Sequence, residues 1–268
     1  MLPTIRNYPR TRHVEGSRLQ PGDTPGVVPW ADVRDRHIVV EEKIDGANCA
    51  VSFASTGKLL LQSRGHYLTG GGREEHFAAL KTWAHAHAAA LFDVLQDRYV
   101  MYGEWVYAKH TVYYDALPHY FLEFDVLDRE TDTFLSTPRR RELLAPCPVV
   151  SVPVLCEGSL RTLDQLTALV GPSAFKTTSW RTRLATQLEA QGLDVPRAIA
   201  ETDGSDEMEG LYIKVEAHGR VVDRLKWVRE SFLTTVVDSE THWLARPIVP
   251  NRLAGDAGID ALFGAGAP

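Results

Sequence analysis

The stretch IVVEEKIDGANCAVSF, residues 38–53, constrains the fold first, because an Asp45-Gly46 pair separates two runs of β-branched and apolar residues. Asp-Gly between such runs is a strong local hairpin signal, so the sequence predicts two antiparallel strands joined at residues 45 and 46. The same residues carry a second meaning. Lys43 stands two positions before Asp45, which places an amine and a carboxylate on a bend where glycine lets a phosphate approach the backbone. A turn is expected either way; chemistry requires support from the rest of the chain.

Further strands follow. KLLLQSR comes after Thr56-Gly57, and RYVMYGEWVYA and YFLEFDVLD, the latter ending at the polar turn RETDT, have strand composition. Between them Phe77, Leu80, Ala84, His87, Leu91 and Leu95 recur three or four apart, predicting one long amphipathic helix from Glu74 to about Gln96. Thr162-x-x-Gln165 has the form of a capping box, and Gly171 and Gly192 stand where C-terminal glycines belong, so two short helices are expected between Ser159 and Gly192. GLYIKVEA, a turn at His218-Gly219 and RVVDRLKWVRE predict a last hairpin before a Gly/Ala-rich tail. Residues 1–36, rich in Pro, Gly and Arg, are expected to form an irregular arm over the domain. The class is α+β.

With 268 residues, 44% of them hydrophobic, the chain is long enough for a real core. No apolar run reaches the roughly 18 residues of a membrane span, and MLPTIRNYPRTRH lacks the apolar centre of a signal peptide, so a cytoplasmic location with no membrane partner is expected. Cys49, Cys147 and Cys156 show neither Cys-x-x-Cys nor Cys/His ligand spacing and read as core thiols. A formal charge of -6 excludes a protein that coats polyanions generally; nucleic-acid contact must be local. Basic clusters at Arg6, Arg10, Arg12 and Arg18, at Arg139 to Arg141, and at Lys176, Arg181 and Arg183 read as solvated faces.

Several charges fall where a plain sheet would not place them. Glu104 shares strand parity with Val100, Tyr102 and Val106, and an unpaired carboxylate on that face would cost several kcal/mol. A metal, a cationic partner or a polar cleft removes the penalty; an exposed strand end is the plain alternative. Glu209-Gly210 opens LYIKV in the same manner, while Arg224 and Lys226 project to one face of their strand with Val222 and Val228. In order the chain carries Lys43 with Asp45, Arg64, Glu104, Glu209 with Lys214, and Arg224 with Lys226. Together these offer a nucleophilic amine, three carboxylates able to hold a divalent ion, and cations for a phosphate chain, which are the needs of nucleotidyl transfer.

That order resembles the covalent nucleotidyltransferase superfamily and, within it, the nick-sealing branch of the ATP-dependent RNA ligases. EKIDGAN resembles the nucleophile motif, SRG at 63–65 the basic motif after it, GEWVYAKHTVYYD the third motif and YFLEFDVLD its aromatic companion. EGLYIK and RLKWV resemble the fourth and fifth, and the opening YPRTRHVEGSRLQPGD resembles the start of bacterial members. The resemblance implies an ATP-grasp-like ligase fold, antiparallel sheets flanked by helices around a nucleotide cleft. It implies an adenylation domain over 37–232 and a short tail over 233–268, too short for an oligonucleotide-binding barrel.

Carried over residue by residue, Lys43 would attack the α-phosphate of ATP, Arg64 would contact ribose or phosphate, and Phe124 would stack on adenine. Lys226 would contact the α-phosphate, and Asp45, Glu104 and Glu209 would hold magnesium or manganese. Glu42, Ile44, Asn48, Lys214 and Arg224 complete the implied ATP-binding set. Arg224 departs from the pattern, standing where such ligases usually have lysine; arginine keeps its proton and presents a broader fork. The implied activity joins RNA 5′-phosphate and 3′-hydroxyl ends, as in a nicked duplex or broken stem-loop. Because no Gly-x-x-x-x-Gly-Lys-Ser/Thr motif is present, a separate kinase or phosphatase would heal damaged ends. A DNA ligase, a capping enzyme and a non-catalytic RNA-binding module on the same fold are the rival expectations.

Overall fold

A computed structural model of the chain describes residues 3–19, 23, 26–238 and 246–262. Its strands are β1 (Arg12–Val14), β2 (Val27–Val28), β3 (Ile38–Lys43), β4 (Ala47–Phe53), β5 (Leu59–Ser63) and β6 (Tyr99–Trp105). They continue with β7 (Phe121–Asp128), β8 (Thr133–Leu135), β9 (Val150–Ser151), β10 (Val154–Gly158), β11 (Gly210–Ala217) and β12 (Arg220–Val228). The α-helices are α1 (Ala78–Ala86), α2 (Ala88–Leu95), α3 (Thr137–Leu144), α4 (Leu163–Thr167), α5 (Trp180–Ala190), α6 (Val195–Ala200) and α7 (Glu230–Asp238).

The strands flanking Asp45-Gly46 form, but they do not pair with each other. β3 lies between β10 and β11, whereas β4 lies between β5 and β6. The Asp-Gly pair is therefore a corner where the chain leaves one arm of the sheet for the other, not a hairpin. Gly46 is required there by crowding, since a Cβ would stand 2.7 Å from Val106 Cγ1 and 2.8 Å from the Trp105 carbonyl oxygen. What approaches the glycine backbone is the end of β6. The first true hairpin joins β4 to β5 through Gly57 at φ +76°, and the last joins β11 to β12 through His218 and Gly219, both at positive φ.

The sheet runs β10-β3-β11-β12-β8-β7-β6-β4-β5, so short β8 links two antiparallel arms. Each arm has its own core. Phe53, Met101, Trp105 and Phe121 of one arm pack with Leu80, Trp83, Leu91 and Leu95 of α1 and α2. Ile38, Val40, Leu211, Ile213 and Leu225 of the other pack with Val14, Trp30 and Leu166. The arm ahead of residue 37 is not wholly irregular: β1 adds in parallel to β12, pairing His13 with Lys226.

The expected long helix is interrupted. Residues 72–77 form a tighter 3₁₀ turn, and His87, at φ -103° and ψ 12°, separates α1 from α2. The buried face is nevertheless the expected one, with Phe77, Leu80, Ala84, Leu91 and Leu95 all buried. His87 instead packs against Trp83 and donates to the Leu262 carbonyl at 3.1 Å, a distant contact that local periodicity does not encode. The capping box at Thr162 and Gln165 forms, but α4 ends at Thr167, so Gly171 caps nothing, while Gly192 at φ +65° follows α5. No helix among the described residues is long and apolar enough to cross a membrane.

The basic clusters are not simply solvated faces. Arg140 is wholly buried, 2.9 Å from Glu41 and 3.4 Å from Glu123, and it donates to the Phe124 carbonyl. The Lys176 side chain is buried beside Asp203, and Arg181 pairs with Asp206 at 2.8 Å. Removing one partner of a buried ion cluster leaves the others uncompensated, so Arg140→Met is expected to lower unfolding free energy by about 3–5 kcal/mol. Urea denaturation at neutral pH measures this; a loss under about 1 kcal/mol would show that the cluster does not stabilise the fold.

The expected tail also packs. Leu253 and Leu262 are buried in the larger core, and residues 249–254 run beside the loop between β6 and β7. Residues 239–245 and 263–268 of that expectation lie outside the described residues.

Candidate active site

The two arms enclose a cavity of about 400 Å³, a volume suited to a small ligand. Lys43, the last residue of β3, is opposite Gly210 in the β3–β11 register, which brings the amine beside Glu209. Lys43 Nζ lies 2.6 Å from Glu209 Oε1. Gly210 is required by the strand on the other side, β12, because a Cβ there would lie 2.0 Å from the Trp227 carbonyl oxygen. On the other arm, β4–β6 register places Asn48 opposite Glu104, and both residues line the cavity.

Burial pushes the Lys43 amine down, but Glu209, Glu104 and Asp45 push it further up, and the net shift is upward. Burial pushes the Glu104 carboxyl up to about 8 against the pull of Lys43 and Arg64. Glu209 is also raised, by burial, with Lys43 opposing. Both carboxyls are thus buried at the cavity wall, where loss of water is only partly offset by the nearby cations. Glu209 Oε2 is moreover buried without a hydrogen-bond partner. Glu104 and Glu209 thus fit a divalent cation.

Asp45 does not share that fit. Its Oδ2 accepts from the Thr111 and Val112 amides, each at 2.7 Å, and its own N–H donates to the Tyr114 hydroxyl at 2.9 Å. Asp45 is absent from the cavity lining, and among the described residues no group of three or more His, Cys, Asp or Glu side chains is gathered to hold a metal. The expected trio therefore resolves into two cavity carboxyls and one carboxylate that binds a loop.

The expected cations divide similarly. Arg64 and Lys226 line the cavity, and Lys226 Nζ is 2.7 Å from Asp23, which also lies 3.1 Å from His13 Nε2. Lys214 and Arg224 line no part of it. Lys214 is buried 2.9 Å from Glu41, and Arg224 pairs with Asp125 at 2.9 Å while covering the Phe134 ring at 3.8 Å. Their expected contact with ATP is replaced by a buried network behind the wall. That network still reaches the site, because Arg140 and Lys214 both donate to the Phe124 carbonyl and so fix the ring that faces the cavity. Ile44 and Glu42 line the cavity as well, although the Glu42 carboxylate accepts from Ser173 Oγ at 2.5 Å and the Ala174 amide at 3.2 Å.

Sequence reasoning missed the contribution of the N-terminal arm. Tyr8, Thr11, His13 and Asp23 line the cavity, and Tyr8 donates to Asp125 at 2.8 Å and shares a 2.6 Å hydrogen bond with Tyr212. YPRTRHVEGSRLQPGD offered a signal in its mixture of aromatic, basic and acidic residues, but no local period tied it to β12. The acids of YFLEFDVLD were a clearer signal, since Glu123 and Asp125 are a carboxylate pair inside an apolar strand.

Comparison with known proteins extends these observations. The family model described as RNA ligase matches residues 36–228. No curated protein sequence matches the chain. Among solved structures, two variants of a Naegleria gruberi RNA ligase with ATP and Mn each give a TM-score of 0.51 at 17% identity, covering 78% of this chain. They are covered over 53% and 54% of their own length. A third variant, with AMP and Mn, gives 0.51 at 15% identity over 87% of this chain and 59% of its own length. The chain thus spans little more than half the length of these proteins, and the likeness shows a shared α+β ligase fold. Since the family match takes in both arms of the sheet and the corner that carries Lys43, the chain belongs to the RNA ligase family.

Proposed function

We propose that the protein is an ATP-dependent RNA ligase that joins 5′-phosphate to 3′-hydroxyl ends through AMP carried first on Lys43 and then on the RNA. The observation that carries this reading is the Lys43 amine at a nucleotide-sized cavity, 2.6 Å from Glu209 and sharing that cavity with Glu104, Arg64 and Lys226.

In the first step Lys43 Nζ attacks the α-phosphorus of ATP, a P–N bond forms and pyrophosphate leaves. An amine with an unperturbed pKa of about 10.4 needs on the order of 4–5 kcal/mol to be neutral at pH 7, and the carboxylates around Lys43 add to that. Glu209 Oε1 is the nearest acceptor for the proton that Lys43 gives up. Magnesium or manganese held by Glu104 and Glu209 would supply positive charge that lowers the amine's pKa and stabilises the transferring phosphate. Arg64 and Lys226 present cations to the same phosphates, and the Phe124 ring offers a stacking face for adenine. An RNA 5′-phosphate then takes the AMP from Lys43, and a 3′-hydroxyl attacks the adenylated end and releases AMP. A separate kinase or phosphatase would supply such ends from damaged RNA, a nicked duplex or broken stem-loop being the substrate.

Incubation with ATP labelled at the α-phosphate, with magnesium or manganese, tests the first step, and parallel GTP and a panel of nicked RNA, DNA and hybrid duplexes test the rest. Covalent label from ATP and sealing of RNA are expected; label from GTP alone would indicate capping chemistry. Phe124→Leu is expected to keep partial activity, with the KM for ATP raised roughly 5- to 150-fold, since base stacking contributes about 1–3 kcal/mol. Unchanged KM would remove Phe124 from the base site.

A further inference from the structure

Asp45 fastens the nucleophile turn to the loop after β6, and that loop is in turn held by residues beyond the family match. Its carboxylate takes the amides of Thr111 and Val112, and its own amide is bound by the Tyr114 hydroxyl. The loop after β6 therefore grips the residue two positions from Lys43 at three points. The β6–β7 pairing ends at Trp105–Phe121, with Val106 N–H reaching the Tyr120 carbonyl at 2.9 Å, so it does not join the start of the loop near residue 106 to residue 114.

Asn251 closes it. Its side-chain Nδ2 donates to the Val106 carbonyl at 2.8 Å, and its Oδ1 accepts from the Tyr114 amide at 2.9 Å. Its backbone N–H donates to Tyr107 at 2.7 Å, and its carbonyl accepts from the Tyr120 hydroxyl at 2.8 Å. Four hydrogen bonds thus radiate from one residue that is 1% exposed, and Arg252 N–H adds another to the Tyr114 carbonyl at 2.9 Å. The amide side chain offers a donor and an acceptor side by side in one plane, one for each end of the loop. Asn251 ties the start and the end of the loop together, and the loop fixes the turn.

We infer that Asn251 is a positioning residue for Lys43: the segment after β12 closes the 106–114 loop so that Thr111, Val112 and Tyr114 hold Asp45, and with it the amine, in attacking geometry. This rests on the proposed lysine adenylation. Lysine and α-phosphate must meet within a fraction of an ångström, and misplacement of about 1 Å can cost 100-fold in rate. The nucleotide-facing groups Phe124 and Lys226 stand on β7 and β12, which Asn251 does not touch through these bonds. The rate of adenylation should therefore fall while ATP affinity stays.

The test compares parent, Asn251→Ala, Tyr114→Phe and the double variant, each below its melting temperature. Three readouts are taken: single-turnover labelling at saturating ATP, ATP affinity, and hydrogen exchange at the Thr111 and Val112 amides. Asn251→Ala is expected to slow labelling at least 10-fold, change ATP affinity less than 3-fold, and speed exchange at both amides at least 10-fold. If both residues act through Asp45, the double variant will lose less than the product of the single losses. Parental labelling and exchange in folded Asn251→Ala would overturn the inference, as would losses that multiply. Should Asn251→Ala fail to fold, Asn251→Asp, which keeps the acceptor for Tyr114 and loses the donor to Val106, carries the same expectations. A parent that takes no label overturns the proposed adenylation itself; the exchange measurement then still decides whether Asn251 fixes the turn.

Discussion

Lys43→Ala is expected to acquire no covalent AMP under conditions in which the parent chain is labelled. The expectation follows from register: the β3–β11 pairing places this one amine beside Glu209 at the wall of the cavity. The other cavity cations are not substitutes. Lys226 is tied to Asp23 at 2.7 Å, and Arg64 offers a delocalised guanidinium fork instead of a primary amine. Lys43→Arg is expected to be equally inactive for the same reason, although it retains the charge. Loss of Lys43 leaves Glu209 without its partner, yet a raised carboxyl can take up a proton instead of unfolding the chain, so the variant should remain folded. Gel labelling beside circular dichroism measures both; a folded Lys43→Ala protein that still carried label would transfer the role of nucleophile to another residue.

Glu104→Ala and Glu209→Ala are each expected to slow adenylation at least 100-fold, equivalent to about 2.7 kcal/mol of lost transition-state stabilisation. Two effects oppose each other at Glu209. Its removal takes away the carboxylate that most strongly holds the Lys43 proton, which by itself favours attack. It also removes the proton acceptor nearest the amine and one of the two carboxyls that fit a divalent cation. The second effect is expected to win, because an amine freed of its proton still needs positive charge at the phosphate it attacks. Glu209→Gln separates the two, since it keeps the shape and loses the charge; its labelling should be as weak as that of Glu209→Ala and should demand more metal. Single-turnover labelling across a magnesium and manganese titration checks this. Labelling of Glu104→Ala or Glu209→Ala at the parental rate would remove that carboxyl from the chemistry.

Much of this site is legible in the sequence, for a physical reason. A charged residue inside an apolar strand is costly, so Lys43, Glu104, Glu209 and Lys226 announce themselves against their neighbours. What the one-dimensional pattern does not contain is which strand pairs with which. Asp45-Gly46 reads as a hairpin because the local signal for a tight turn is the same whether the chain returns along the same arm or crosses to the other. The need for Gly46 lies in Trp105 and Val106, some sixty positions away. Arg224 and Lys214 illustrate a second limit. Arg224 shares strand parity with Lys226 as expected, but it meets Asp125 of the other arm, while Lys214 meets Glu41 of the neighbouring strand β3, and both close off behind the cavity wall. Asn251 illustrates a third, since a lone asparagine in an aperiodic segment carries no local signal of its four distant partners. The break at His87 likewise coincides with a contact to distant Leu262.

Locating the adduct decides whether one lysine, at the corner between the two arms, carries AMP. The parent chain incubated with ATP and magnesium is digested, and its peptides are sequenced by mass spectrometry. AMP is expected on Lys43 and on no other residue, in an acid-labile phosphoramidate bond. AMP found on Lys226, Lys214 or Lys109, or ATP bound with no adduct at all, would contradict it.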